Sequence, residues 1–324
     1  MRLVLAPMQG VVDMEMREIL TSLGGFDRCV TEFVRVTDQK FPNKVFFRNC
    51  PELETNGRTA AGTPVFIQLL GGQPSWMAAN AAQAVSLGAP GIDINFGCPA
   101  KIVNRNDGGS VLLKEPKRLG LIVAAVRDAV DPAILVTAKI RLGFNDTSLL
   151  EDIVASIVEA GASELCIHAR TRADGYQPPA HWHHIKPLLA RARIAVIANG
   201  EIWSPQDALE AQAQSGCTDL MLGRGALACP DLARQIKMQY QGEQVSSLPW
   251  HKVLEVVLQH FELRDQWSPR YVGNRTKQWL AFLRLQYTEA ELLFQQIKRL
   301  TKASEINALI ERHLDMGLCK LSVI

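Results

Sequence analysis

Short apolar stretches rich in β-branched residues recur along the chain, separated by longer stretches with the period of an amphipathic helix. The apolar stretches are 3–6, 29–33, 65–69, 91–95, 134–140, 164–168, 194–198 and 219–222. Helical periodicity falls at 75–87, 116–130, 149–160 and 205–214. Strands that are apolar throughout, rather than alternating, suit a sheet buried on both faces. Eight β–α alternations within about 235 residues predict a TIM barrel. An open doubly wound sheet has the same local pattern, but eight is the closing number and no GxGxxG follows the first strand.

Three of the helix-to-strand turns carry the same punctuation. Gly88, Gly161 and Gly216 each stand just past a predicted helix, where a left-handed cap fits. From about residue 248 the pattern changes: 250–265, 274–286, 289–300 and 304–314 read as helices, with Thr288 and Glu291 spaced as a capping box. The fold expected is thus α/β: a TIM barrel over residues 1–243, followed by a small all-helical region over 244–324. The polar stretch 241–247 is the expected boundary.

Composition narrows the class. The 324 residues are 47% hydrophobic and 21% charged, which excludes a disordered chain. Net charge is +2, so the chain is no polycation, although a local basic patch is compatible with that total. The seven cysteines are widely spaced and include no CxxC pair, which argues against a disulfide framework and a structural metal site. No apolar run approaches the roughly 18 residues of a membrane span, and Met1–Gly10 is too short in apolar residues for a signal core. A reducing cytoplasm, no membrane and a monomer are the default expectations.

Barrel active sites lie at the C-terminal ends of the strands. The predicted strand ends carry Pro7 and Met8, Glu32 and Arg35, Gln68, Asn95 and Cys98, Lys139 and Arg141, His168 and Arg170, Asn199-Gly200-Glu201, and Gly223-Arg224-Gly225. Closure would bring them to one mouth. The last two loops suit phosphate, through glycine amides and the Arg224 fork; tight turns are the plainer explanation of the same glycines. Lys139 and Arg141 alternate on one strand and share its face. Lys139 suits either an electron-rich ligand edge or a structural ion pair, and His168 either a ligand contact or a satisfied core position. Cys98, between Gly97 and Pro99, is the cysteine placed for chemistry, as nucleophile or as general acid. No Cys/His spacing supports a metal.

The run Asp93-Ile94-Asn95-Phe96-Gly97-Cys98-Pro99, with Val103, Gly108-Gly109 and Leu112-Leu113, resembles the tRNA-dihydrouridine synthases. Ala6-Pro7-Met8, Thr31-Glu32, Gln68, Lys139-Ile140-Arg141-Leu142-Gly143, Ile167-His168, Ala198-Asn199-Gly200-Glu201-Ile202 and Met221-Leu222-Gly223-Arg224-Gly225-Ala226 extend the match in order across the barrel. Thr31 to Val36, Cys50-Pro51-Glu52-Leu53 and Lys277-Gln278-Trp279-Leu280 are similar to the bacterial C-type branch. Two departures stand out: Asn104-Arg105-Asn106-Asp107 where a glycine-rich run is common, and Phe96 where a small or polar residue is frequent.

The resemblance implies reduction of the C5–C6 bond of a uridine in tRNA, at position 16 of the D-loop for the C-type branch, with bound FMN and with NADPH as reductant. It implies Cys98 as the catalytic acid. Pro7, Met8, Gln68, Lys139, His168, Asn199, Gly200, Glu201, Gly223 and Arg224 would contact FMN, and Asn95 and Arg141 the uracil or its phosphate. A flavin oxidoreductase acting on a small free pyrimidine, as the dihydropyrimidine and dihydroorotate dehydrogenases do, is the competing expectation.

The tail favours RNA. From 266 to 288 it has Arg270, Arg275, Lys277 and Arg284, no acidic residue, and interleaved aromatics at 267, 271, 279, 282 and 287. Such a segment fits contact with a phosphate backbone. A solvated face over an aromatic core stripe fits it too, with Trp279 and Phe282 expected in that core. Arg35, Arg275, Lys277 and Arg284 are the candidate tRNA contacts, with Tyr176 as a candidate base stacker. No protein partner is implied.

Overall fold

The computed structural model describes residues 1–267 and 272–321. Arg270 and Tyr271 lie outside the described residues, as do the side chains of Trp267 and Cys319.

Nine parallel strands form one sheet: β1 (Leu3–Leu5), β2 (Arg28–Val30), β3 (Val34–Arg35), β4 (Val65–Leu70), β5 (Gly91–Asn95), β6 (Leu135–Arg141), β7 (Glu164–His168), β8 (Ala195–Asn199) and β9 (Asp219–Leu222). Pairing of β1 with both β2 and β9, and of β2 with β4, closes the sheet into a barrel. The short β3 continues the β2 position and pairs further along β4.

Of the expected strand 29–33 only the first two residues are strand: the ladder breaks after Val30 and resumes at Val34, beyond the expected end. At the break, Thr31 N donates to the Phe66 carbonyl (2.9 Å), while Gln68 N donates to the Thr31 hydroxyl (3.0 Å) instead of to a backbone oxygen. Glu32 turns away to accept from Gly10 N. A β-rich segment thus leaves the ladder because its side chains hold backbone groups of neighbouring elements.

Inward and outward positions alternate along each strand. On β7, Leu165 and Ile167 join the apolar layer under the helices, while Cys166 joins an inner group with Val4, Ala6, Val30, Phe66, Ile197 and Met221. Below that group, Glu164 accepts from Arg2 and from Arg28 Nη2 (2.5 Å), and Asp219 accepts from Arg2 Nε (2.8 Å). Above it the interior turns polar. Gly88, Gly161 and Gly216 have φ of 96°, 87° and 72°, so the three turns take the left-handed form their punctuation predicts.

Helix Met14–Ser22 buries polar groups beside Met16, Ile19 and Leu20. Arg17 is fully buried and gives Nε and Nη2 to the two carboxylate oxygens of Glu52 at 2.7 and 2.8 Å. A bidentate pair of this kind tolerates a dry site only because both partners are satisfied.

The tail helices are Trp250–Trp267, Val272–Leu283, Thr288–Ile297 and Ala303–Leu321. The first lies against Met14–Ser22 and the second against Arg224–Ala228. Trp279 is buried and its indole donates to the Leu227 carbonyl at 3.0 Å. Val253, Leu254, Trp279 and Leu280 belong to the same apolar cluster as the outer layer of the barrel. The capping box expected at Thr288 is absent: Tyr287 is the cap residue and makes no side-chain cap bond. Thr288 already lies inside the helix, and its hydroxyl donates to Glu289. Among the described residues, no helix is long and apolar enough to cross a membrane.

Candidate active site

A cavity of about 530 Å³ opens at the C-terminal ends of the strands. Pro7, Met8, Gln68, Asn95, Cys98, Lys139, Arg141, His168, Tyr176, Asn199, Gly200, Glu201, Gly223 and Arg224 all line it. The barrel thus gathers residues spread over more than 200 positions onto one surface. Arg35, Arg275, Lys277 and Arg284 stand outside that lining. Arg35 is half-buried on β3. Arg275 donates to the Gly10 carbonyl and to Gln278 Oε1 (2.9 Å), and Lys277 donates to the Leu300 carbonyl. Arg284 lies 3.3 Å from Glu291 and 4.8 Å from the centre of the Phe294 ring.

Several lining residues escape sequence reasoning. Phe282 was expected in a core stripe, yet it is half-buried and lines the cavity from the tail. Trp203 and Phe33 follow strand ends, but an aromatic there looks like ordinary packing. Arg170, by contrast, was expected at the mouth beside His168 and lines the cavity there.

Cys98 is half-exposed, whereas the other described cysteines are buried. Its peptide is held from both sides. Asn95 Oδ1 accepts from Gly97 N (3.0 Å) and Cys98 N (2.9 Å). The Cys98 carbonyl accepts from Ser110 N (3.0 Å) and Asn104 Nδ2 (2.9 Å), and Ser110 Oγ donates to Asn104 Oδ1 (2.9 Å). Asn104, the departure noted in the sequence, therefore braces the cysteine loop. Gly109 presses on the same peptide at φ 67°, where an added Cβ would stand 2.8 Å from the Cys98 carbonyl oxygen. Burial pushes the Cys98 thiol above its ordinary value, while Arg141 and a backbone N–H pull against that shift. A raised thiol is protonated at neutral pH and can give a proton. Wholly buried Cys166 is pushed up to about 12.

Four cations, Lys139, Arg141, Arg170 and Arg224, line the cavity with a single carboxylate, Glu201. Arg141 ties two loops together: Nε donates to the Gly97 carbonyl (2.8 Å) and Nη1 to the carbonyls of Thr171 (3.0 Å) and Gly175 (2.8 Å). Its guanidinium lies 5.0 Å from the centre of the Tyr176 ring. Lys139 Nζ donates to Asn199 Oδ1 (3.0 Å), and burial lowers its pKa. Asn199 Nδ2 donates onward to the Met221 carbonyl (2.8 Å). Burial, then Lys139, Arg141, Arg170 and Arg224, hold His168 well below its ordinary value, so the ring is neutral at pH 7.

The two glycine loops differ in kind. At Gly200, φ is 114° and an added Cβ would lie 2.8 Å from His168 Cδ2. At Gly225 it would lie 2.0 Å from the Ile202 carbonyl oxygen, so these loops pack backbone to backbone. At Gly223 an added Cβ would meet only Met8 Sδ at 3.8 Å and Ala6 Cβ at 3.9 Å, ordinary contact distances. Glu201 is ion-paired with Arg170 and accepts from Trp203 Nε1 (2.9 Å). Burial raises the Glu201 pKa, but these hydrogen bonds outweigh it and leave it low. Arg224 lies over the Trp203 and Tyr176 rings at 5.1 and 5.3 Å. Uncompensated positive charge, amide groups and flat side chains suit an anionic ligand with a planar heterocycle.

A protein-family model described as dihydrouridine synthase matches residues 4–314. A protein of Ralstonia nicotianae named tRNA-dihydrouridine(16) synthase is 47% identical over 314 residues, covering 97% of this chain and 96% of the relative. One of the same name from Shewanella oneidensis is 48% identical, covering 96% and 98%. Histamine dehydrogenase from Rhizobium sp. 4-9 superposes with a TM-score of 0.58 at 14% identity, over 81% of this chain and 49% of that one, a likeness of fold alone. With the family model spanning barrel and tail, and relatives near half identity over almost their whole length, this chain belongs to the dihydrouridine synthase family.

Proposed function

We propose that the protein reduces the uridine at position 16 of the tRNA D-loop to 5,6-dihydrouridine, with FMN bound in the barrel mouth and NADPH as the reductant. The observation that carries this reading is Cys98. Among the described cysteines it is the one that lines a cavity, and that cavity holds four cations against one carboxylate. The curated relatives bear the corresponding name.

The lining fits FMN by its donor set. Pro7, Met8, Gln68, Lys139, His168, Asn199, Gly200, Glu201, Gly223 and Arg224 would hold it, with Gly223 leaving room beside Arg224. The chemistry the flavin supplies when bound is hydride delivery to C6 of the uracil. Cys98 holds the proton destined for C5, and its braced peptide aims the thiol. Arg141 keeps the cysteine loop and the 171–175 loop in register with each other. Neutral His168 offers a hydrogen bond without adding a fifth positive charge.

A stacked uridine cannot reach the mouth of a barrel, so it must be splayed from its loop. Asn95, Arg141 and Tyr176 would receive the base and its phosphate, and Arg35, Arg275, Lys277 and Arg284 the backbone. The last three would share donors already bonded within the chain. On this reading residues 1–243 carry catalysis and 244–324 carry RNA contact, in a cytoplasmic monomer.

The deciding experiment incubates the purified protein with NADPH and either unmodified tRNA or free uridine, and maps dihydrouridine. Product confined to position 16 of tRNA supports the reading. Equal turnover of free uridine replaces it with a small-pyrimidine reductase. A colourless protein that FMN does not activate removes the cofactor assignment.

A further inference from the structure

Beneath the cavity, strand register places Gln68 beside Asp93 and Asp93 beside Thr137, with Asn95 beside Lys139 two residues further up β5. The side chains form a continuous line. Thr137 Oγ1 donates to Asp93 Oδ1 (2.6 Å), and Gln68 Nε2 donates to Asp93 Oδ2 (2.7 Å). Asn95 Nδ2 donates to Gln68 Oε1 (2.8 Å), and Asn95 Oδ1 accepts from Gly97 N and Cys98 N. Asp93 is 2% exposed and Gln68 fully buried, so no water competes for these groups.

The line has a direction. A carboxylate accepts from Gln68 at one end, and backbone N–H groups donate at the other. Two amide side chains between them can then take one orientation each: Gln68 turns nitrogen to Asp93 and oxygen to Asn95, and Asn95 turns nitrogen to Gln68 and oxygen to the cysteine peptide. We propose that Asp93 is a positioning residue for Cys98, acting through Gln68 and Asn95 to fix the peptide that carries the thiol. This rests on Cys98 being the reacting group, as read above. Asp93 itself touches neither cavity nor thiol. Cys98 is also gripped at its carbonyl by Asn104 and Ser110, so release of the Asn95 side frees the peptide at one end rather than unfolding the loop.

The test is alkylation of Cys98 by iodoacetamide in the flavin-loaded protein without tRNA, followed by peptide mass and by pH. Because no RNA is present, the result stands apart from the question of which uridine is reduced. Asp93→Ala should change the Cys98 rate constant by about 10-fold, the scale on which sub-ångström misplacement acts. In an Asn95→Ala background, where the line no longer reaches the peptide, the same substitution should change it by less than about two-fold. An equal factor in both backgrounds, or no change in either, would overturn the proposal. Asp93→Asn keeps the volume, offers an oxygen to Gln68 and turns its amide to the Thr137 hydroxyl. It should stay within about two-fold of wild type. A 10-fold change there would mean that the charge, not the directed hydrogen bond, is what matters, and would equally overturn it.

Discussion

The two ends of this barrel treat positive charge in opposite ways. At the N-terminal end Arg2 and Arg28 meet Glu164 and Asp219, so each cation has a carboxylate. At the C-terminal end Lys139, Arg141, Arg170 and Arg224 share Glu201 alone among the cavity residues. Burying a charge costs free energy unless it is paired. The lower end obeys that rule and closes the barrel floor. The upper end departs from it, and its cavity offers a surplus of cations that suits an anionic ligand. Stability and function are thus written at different ends of the same strands, sometimes on one strand: β7 begins with Glu164 and ends with His168.

The comparison can be broken at either end. The largest effect is expected from Cys98→Ala. Loss of a general acid typically costs about 10²–10⁴-fold, so single-turnover dihydrouridine formation should fall by that factor while thermal midpoint and flavin content stay put. A matching fall in stability would show that the two ends are not separable. Glu164→Ala attacks the floor. It leaves buried Arg28 without its carboxylate and should cost about 3–5 kcal/mol in denaturant unfolding, with turnover per folded molecule preserved.

Arg224→Ala is expected to be milder, because the cation is about a third exposed. It should weaken flavin retention by roughly 10-fold on dilution and leave the unfolding midpoint of the flavin-free protein within about 0.5 kcal/mol. Acid sharpens the contrast further. His168 has a depressed pKa in the folded state and an ordinary one unfolded, so the folded form binds fewer protons. Its contribution is present above about pH 6.5 and is lost as pH falls below that value. An anion in the cavity should soften the loss, so unfolding curves with and without FMN should diverge as pH falls below about 6.5. Parallel curves would mean that His168 does not sense the ligand.

Much of this was legible beforehand, for a physical reason. A strand buried on both faces leaves a short apolar run bounded by turn residues, and Gly91–Asn95 and Glu164–His168 were expected with the bounds they have. Charged residues at the ends of such runs marked the mouth. What escaped detection are arrangements made by partners distant in sequence. Arg17 is buried because Glu52, 35 positions away, meets it, which no local pattern reports. Thr31 breaks a strand because its hydroxyl serves Gln68, which local propensity does not report. Phe282 and Trp279 sit three apart on one helix, yet one meets the cavity and the other the core, a division that depends on where the helix docks. The roles of Arg275 and Lys277 illustrate the same point. Their charge is visible in the sequence, whereas Gly10 and Leu300, to which they donate, are not.

The indole of Trp279 on the Leu227 carbonyl couples the tail to the rim of the cavity. Leu227 belongs to the five-residue helix that begins at Arg224, so the tail caps from behind the element whose front faces the cavity. Without the tail that carbonyl would lose its donor, and the shared apolar cluster would lose Val253, Leu254, Trp279 and Leu280. Barrel and tail therefore share one core, so loosening the tail also loosens the rim of the cavity.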